Sequence, residues 1–255
     1  MTIINQIGDR GDWKRIPYDK DLIARINREA EEKSRRGKLP VKPTEQRQNQ
    51  AGKGEINDKW VYVPLIDMSF ARQRTHQNTN WYDQNKALIS ENLLMPTPEQ
   101  TWELIFYLKD NLDNPEHREV YDDILKRTPK DIWHGENQNA YFTKEGDKFY
   151  IQHIKGIKSN GELVLTNKVE ISDYLNSDCW ADISSKANIT DKGLCKTSSS
   201  IQNYSQGNNI YFWQPRNNSV ARFYAGSDRV DLDCGRNPEN AGASLGVRGC
   251  AEGAK

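Results

Sequence analysis

The spacing of apolar residues changes along the chain, and each change marks a region. From Asp19 to Arg36 the spacing is helical, with Leu22, Ile23, Ile26 and Ala30 on one face and Gly37 placed to end the turn. Lys38–Asp58 then carries Pro, Gln, Gly and charge with almost no apolar residues, the composition of an extended or disordered linker. Residues 1–58 are therefore expected to form an N-terminal helical arm and flexible linker, with a separate domain over 59–255. That domain opens on WVYVPLI, a buried-strand candidate from Trp60 to Ile66. Helical spacing returns over Asp83–Leu94. A sharper start follows at Thr97, an N-cap with Pro98 in the first turn and Gln100 completing a capping box; Trp102, Ile105 and Leu112 share a stripe behind it. Asn114-Pro115-Glu116 opens a further helix bearing Val120 and Ile124, stopped by Thr128-Pro129.

After Trp133 the period falls to two. AYFT, KFYIQHIKGIK and ELVLTN, separated by Lys144–Asp147 and Asn160-Gly161, predict a β-meander. Residues 170–255 read as short strands in long polar loops. Within them the alternation is informative. Ile210 and Phe212 alternate with Tyr211 and Trp213; Ala221, Phe223 and Ala225 with Arg222 and Tyr224; Val230, Leu232 and Cys234 with Arg229, Asp231 and Asp233. One face is a compact apolar set. The other mixes rigid aromatics with adaptable polar groups, the chemistry of a binding surface or of an ordinary half-exposed sheet.

Composition narrows the function classes. Lys+Arg and Asp+Glu both total 36, so no net field draws the chain to nucleic acid or to an acidic membrane. The 14 basic against 10 acidic residues of positions 1–60 read as a solvated face. Mean hydropathy is −0.91, yet seven Trp, eleven Tyr and six Phe can seed a core, and 23 Asn favour turns and a wide polar surface. No stretch has the length of a signal peptide or a spanning helix, so membrane insertion is not expected. Cys179 and Cys195 are 16 apart, as are Cys234 and Cys250. That spacing is compatible with buried thiols, with one or two disulfides in any of three connectivities, or with a four-thiolate zinc site that lacks a Cys-x-x-Cys knuckle.

Ala221-Arg222-Phe223, then Arg236-Asn237-Pro238, then Leu245-Gly246-Val247-Arg248 resembles the C-terminus of C-type-lectin-fold proteins. The branch shared by formylglycine-generating enzymes and the variable proteins of diversity-generating retroelements is the nearest in pattern, and MPTPEQTWEL resembles its Pro-Thr…Trp-Glu helix start. The resemblance spans about Trp60 to Cys250 and leans toward archaeal or viral variable proteins. It implies an α+β, C-type-lectin-like fold with a β-meander and long C-terminal loops. It also implies adenine-directed rewriting of a cassette near 208–248. Carried over by position, the ligand-facing residues would be Tyr211, Trp213, Gln214, Arg216, Asn217, Tyr224, Asp228, Arg229, Asp231, Asp233 and Arg236. Val220, Ala221, Phe223, Val230, Leu232, Leu245, Val247 and Arg248 would be scaffold, with Arg222 and Arg248 bridging loops.

Rival chemistry is thinner. A formylglycine-generating reaction would need a cysteine pair, and nothing beside Cys234 or Cys250 is built to activate a thiolate. His76, His117, His134 and His153 have no metal spacing, and Gln214-Pro215-Arg216 brings no carboxylate to a calcium site. Neither catalytic residues, a cofactor nor a metal is expected. The expected function is binding of a protein or glycan on another cell or virus. The alternatives are a formylglycine-generating-type enzyme and a structural virion or envelope component.

Overall fold

The computed structural model describes residues 59–130 and 132–253. The helix expected over Asp19–Arg36 and the linker expected over Lys38–Asp58 lie outside the described residues. Those described form a mixed α/β fold, mostly strands, with three helices and a curled, half-barrel sheet.

Each helix begins where a side chain can accept orphan backbone N–H groups. Helix α1 (Trp81–Ser90) starts two residues ahead of the apolar pattern, because Asn80 caps it by accepting from the Asp83 amide. It also ends four residues early, followed by Asn92 in the left-handed region (φ 58°). Helix α2 (Pro98–Lys109) has the expected capping box: Thr97 and Gln100 exchange hydrogen bonds of 3.2 and 2.9 Å. Helix α3 (Pro115–Leu125) follows its Asn114 cap. The expected Trp60–Ile66 strand is shorter. Strand β1 (Trp60–Val63) stops at Pro64, which turns the chain into a 3₁₀ turn with Leu65 exposed.

The largest sheet comprises β3 (His134–Glu145), β4 (Lys148–Gln152), β7 (Val169–Ile171), β8 (Cys179–Asp182), β9 (Asn209–Trp213), β10 (Ser219–Ala225), β11 (Val230–Arg236) and β12 (Leu245–Gly246). Its order is β7-β4-β3-β10-β11-β9-β8, with β12 also on β3; β11–β9 and β12–β3 are its parallel pairs. The meander expected after Trp133 is divided. β3 and β4 form one hairpin, but β5 (Ile154–Ile157) and β6 (Leu163–Leu165) leave as a two-stranded ribbon. The cause is Asn139. Its side chain pairs with both backbone groups of Ile154, at 2.6 and 2.9 Å, and so takes the place of a strand neighbour. Gly161, at φ 82°, supplies the turn in the ribbon. A third sheet joins β1, β2 (Met68–Ala71) and β13 (Cys250–Glu252), so both ends of the described chain meet in it.

Helices α2 and α3 cover the inner face of the large sheet. Trp102 meets Phe223 edge-on (5.2 Å, 75°), and Leu104, Ile105, Leu108, Val120 and Ile124 join Phe212, Val230 and Leu232 in one core. Burying each such side chain contributes roughly 1.5–3 kcal/mol. A smaller cluster links Trp81, Leu88, Met95, Ile154, Val220 and Val247.

Candidate functional site

With the inner face committed to the core, register decides what the outer face displays. Tyr224 lies opposite Gly135 on one side and Asp231 on the other; Asp231 lies opposite Tyr211, and Tyr211 opposite Trp180. A second row runs Asn137, Arg222, Asp233, Trp213. Paired positions in a sheet point the same way, so five strands carry two rows of aromatic and polar groups on one face, with Asn137, Arg222, Asp231 and Asp233 buried within it.

The aromatics brace one another. Tyr211 meets Trp213 (5.2 Å) and Trp180 (5.5 Å) edge-on, while Tyr224 stacks on Trp133 (5.5 Å, 27°). The Arg229 guanidinium lies 4.7 Å from the Tyr211 ring centre and 5.8 Å from that of Trp213, within cation–π range of both. Below it, Asp231 accepts from Arg229 Nε (2.9 Å) and Trp213 Nε1 (3.3 Å). Burial pushes the Asp231 carboxyl up to about 6, against the pull of Arg229 and the Trp213 hydrogen bond. Arg236 sits 2.6 Å from Asp233, whose other oxygen accepts from the Gly235 amide. Arg216 pairs with Asp178 at 2.7 Å, and Asp178 also accepts from the Gln214 amide.

Eight expected ligand-facing residues thus come together as one surface: Tyr211, Trp213, Arg216, Tyr224, Arg229, Arg236 and, inside it, Asp231 and Asp233. The last two lie on the anticipated face but are buried. A ligand would meet the guanidinium groups above them first. Asp228 is exposed 3.5 Å from Arg229. Gln214 faces Asn176 and Arg216, in the amide orientation that satisfies both its atoms. Asn217 stands apart at the β9–β10 turn, where its side chain accepts from the Lys144 amide (2.8 Å). Trp133, Trp180 and Asp178 were not anticipated. Trp180 alternates with buried Ala181, which is a readable signal; Trp133 precedes its strand and has no periodic partner.

The two bridging arginines differ. Arg248 is fully enclosed and donates to the carbonyls of Ala71 (2.8 Å) and Arg72 while pairing with Asp123 (2.6 Å) and Glu136 (3.2 Å). Burial opposes ionisation of Asp123, but Arg248, Arg74 and His134 outweigh it and hold its pKa below the usual value. Arg222 is buried with Nε on Asn137 (3.1 Å) and Nη2 without a partner; burial, then the neighbouring Arg236, pulls its pKa down to about 10.

A cavity of about 600 Å³ lies elsewhere, beside Arg72, Arg74, Asp123 and His134. There Arg72 pairs with Glu116 and Glu119, and Arg74 with Asp123, leaving those charges already matched. All four cysteines are free thiols, with Cys195, Cys234 and Cys250 buried. Burial pushes Cys250 up to about 12 and Cys234 well above its usual value, which disfavours the thiolate. Among the described residues, no three His, Cys, Asp or Glu side chains are grouped to hold a metal ion, and no helix is long and apolar enough to cross a membrane. No protein-family model matches the chain, and neither a curated protein nor a solved structure matches it.

Proposed function

We propose that the domain is a ligand-binding module of receptor or adhesin type, built on a C-type-lectin-like scaffold and diversified by a retroelement. The observation that carries the reading is the division of labour within single strands. Ile210, Phe212, Ala221, Phe223, Ala225, Val230, Leu232 and Cys234 are all buried in the core. The residues alternating with them are Tyr, Trp, Arg and Asp, the side chains that dominate binding hot spots. Such an arrangement lets outward residues be exchanged while the inward set keeps the fold. The ligand is a protein or glycan on another cell or virus, held without a cofactor or metal. Burial of Cys234 and Cys250 gives the formylglycine-generating alternative no support, and nothing in the geometry favours a structural virion component.

The test uses the labelled full chain on printed arrays of cell-surface glycans and of surface-protein ectodomains. Wild type should bind a subset of ligands. Among Tyr211→Ala, Trp213→Ala, Tyr224→Ala and Arg229→Ala, at least one should cost ~2 kcal/mol or more in affinity, chiefly through faster dissociation. EDTA should not change binding. A ligand retained by all four variants, or released by EDTA, refutes this surface. The retroelement part has a separate test: sequencing the locus should reveal a reverse transcriptase gene and a near-copy of the DNA encoding about 208–248 that differs chiefly at adenines. Without them the diversification reading fails.

A further inference from the structure

The outer face is formally balanced in charge, but its charges are layered. In each of its three closest ion pairs the guanidinium is the outer partner. Side-chain exposures are 32% for Arg229 against 4% for Asp231, 39% for Arg236 against 7% for Asp233, and 46% for Arg216 against 24% for Asp178. Only Asp228, at 73%, reverses the order. Each carboxylate underneath holds its arginine in place without covering it. A guanidinium has five N–H donors in a planar fork, and these pairs leave some of each fork unused. Arg222 adds a fourth positive charge in the floor, with Nη2 unsatisfied and with Arg236 as a repelling neighbour. A counter-charge arriving from solvent would relieve that repulsion.

Resting on the binding reading above, we infer that this face takes an acidic protein segment, with Arg229, Arg236 and Arg216 receiving its Asp and Glu carboxylates. Two observations favour a polypeptide over an acidic sugar. The first is extent. Arg229 precedes β11 and Arg236 ends it, so the cations are spread along about 20 Å of strand. That is the reach of an extended peptide of about six residues. The second is the state of the aromatic rings. A sugar stacks on an open ring face, but Arg229 lies over Tyr211 and Trp213, and Tyr224 and Trp133 stack on each other. The rings support the arginines more than they offer platforms.

The experiment measures binding of a Glu-Gly repeat peptide to the full chain by fluorescence anisotropy, beside a Gln-Gly repeat of equal length and an oligogalacturonate. The Glu-Gly peptide should bind, should weaken steeply with added salt, and should lose roughly tenfold in affinity with Arg216→Gln/Arg236→Gln. Arg229→Gln combined with Asp231→Asn removes a cation together with its buried carboxylate, so folding is kept, and it should weaken binding similarly. Thermal unfolding checks that each variant is folded. Equal binding of the Gln-Gly peptide, full binding by both double variants, or no binding of the Glu-Gly peptide overturns the inference; tighter binding of oligogalacturonate overturns it in favour of an acidic glycan. An uncharged array ligand lost with Tyr211→Ala and kept by Arg216→Gln/Arg236→Gln overturns this inference alone and leaves the binding reading standing.

Discussion

Arg248 and Arg229 are both arginines paired with aspartate, and they sit in their pairs the opposite way round. Arg248 is the innermost group of its cluster. Its donors are occupied by two backbone carbonyls, Asp123 and Glu136, so it ties β2 and the segment after it to α3 and β3. Arg229 is the outermost group of its cluster and lies over aromatic rings, with Asp231 beneath it. An inward guanidinium with all three nitrogens engaged is a staple. An outward one held by a buried carboxylate is a presented charge. The acids respond in kind: the pKa of Asp123 is lowered, while burial raises that of Asp231. Ionised Asp123 therefore supports the fold, and ionised Asp231 costs it something.

That contrast can be broken most forcefully at Arg248. Arg248→Ala would leave Asp123 and Glu136 short of their shared cation and two carbonyls short of donors, and should destabilise by about 3–5 kcal/mol. Thermal unfolding should show Tm falling by at least about 6 °C; a smaller change would mean that Arg248 is no staple. Next in size is Leu232→Ala, on the inner face of the strand whose outer face carries Asp231. It should cost about 2–4 kcal/mol in denaturant unfolding. Asp231→Asn probes the outer pair through its sign. The folded pKa is raised to about 6, so protonation favours the folded state, and wild type loses stability as pH rises from the unfolded value through 6. The Asn variant has no such loss. Its unfolding free energy relative to wild type should climb between pH 5 and pH 7, by an amount on the order of 1–2 kcal/mol in denaturant unfolding; a difference that falls over that range reverses the assignment. Smallest is Arg216→Gln, where a surface pair is removed and stability should shift by less than about 0.5 kcal/mol.

Local signals were the legible ones. The Thr97–Gln100 capping box and the Asn114 cap need only residues a turn apart, and both are in place. Alternation also placed Asp231 and Asp233 on the correct side of β11, because side-chain direction in a strand follows from position alone. Their depth was not legible: it depends on Trp213, brought alongside by the parallel β9–β11 pairing, and on Arg229 and Arg236 folding over them. The departure of β5 from the sheet was hidden for a similar reason. Asn139 carries no mark that separates a turn-former from a side chain that replaces a strand neighbour. At α1, the apolar pattern missed the start because Asn80 and Trp81 act before the periodic run begins.

The way the described chain closes has a consequence for its synthesis. Arg248 reaches back to Ala71 and Arg72, and Cys250 pairs with Phe70, so the second edge of β2 waits for residues translated some 180 positions later. Pairings that distant are slow and cannot form while the C-terminal stretch is still inside the ribosome. The nascent chain should stay sensitive to protease until Glu252 has emerged, and a stop codon anywhere between 208 and 244 should yield a product that never folds. Translation through β13 thereby becomes a proofreading step: only a message read past β9, β10 and β11 delivers a protein able to present their outer face.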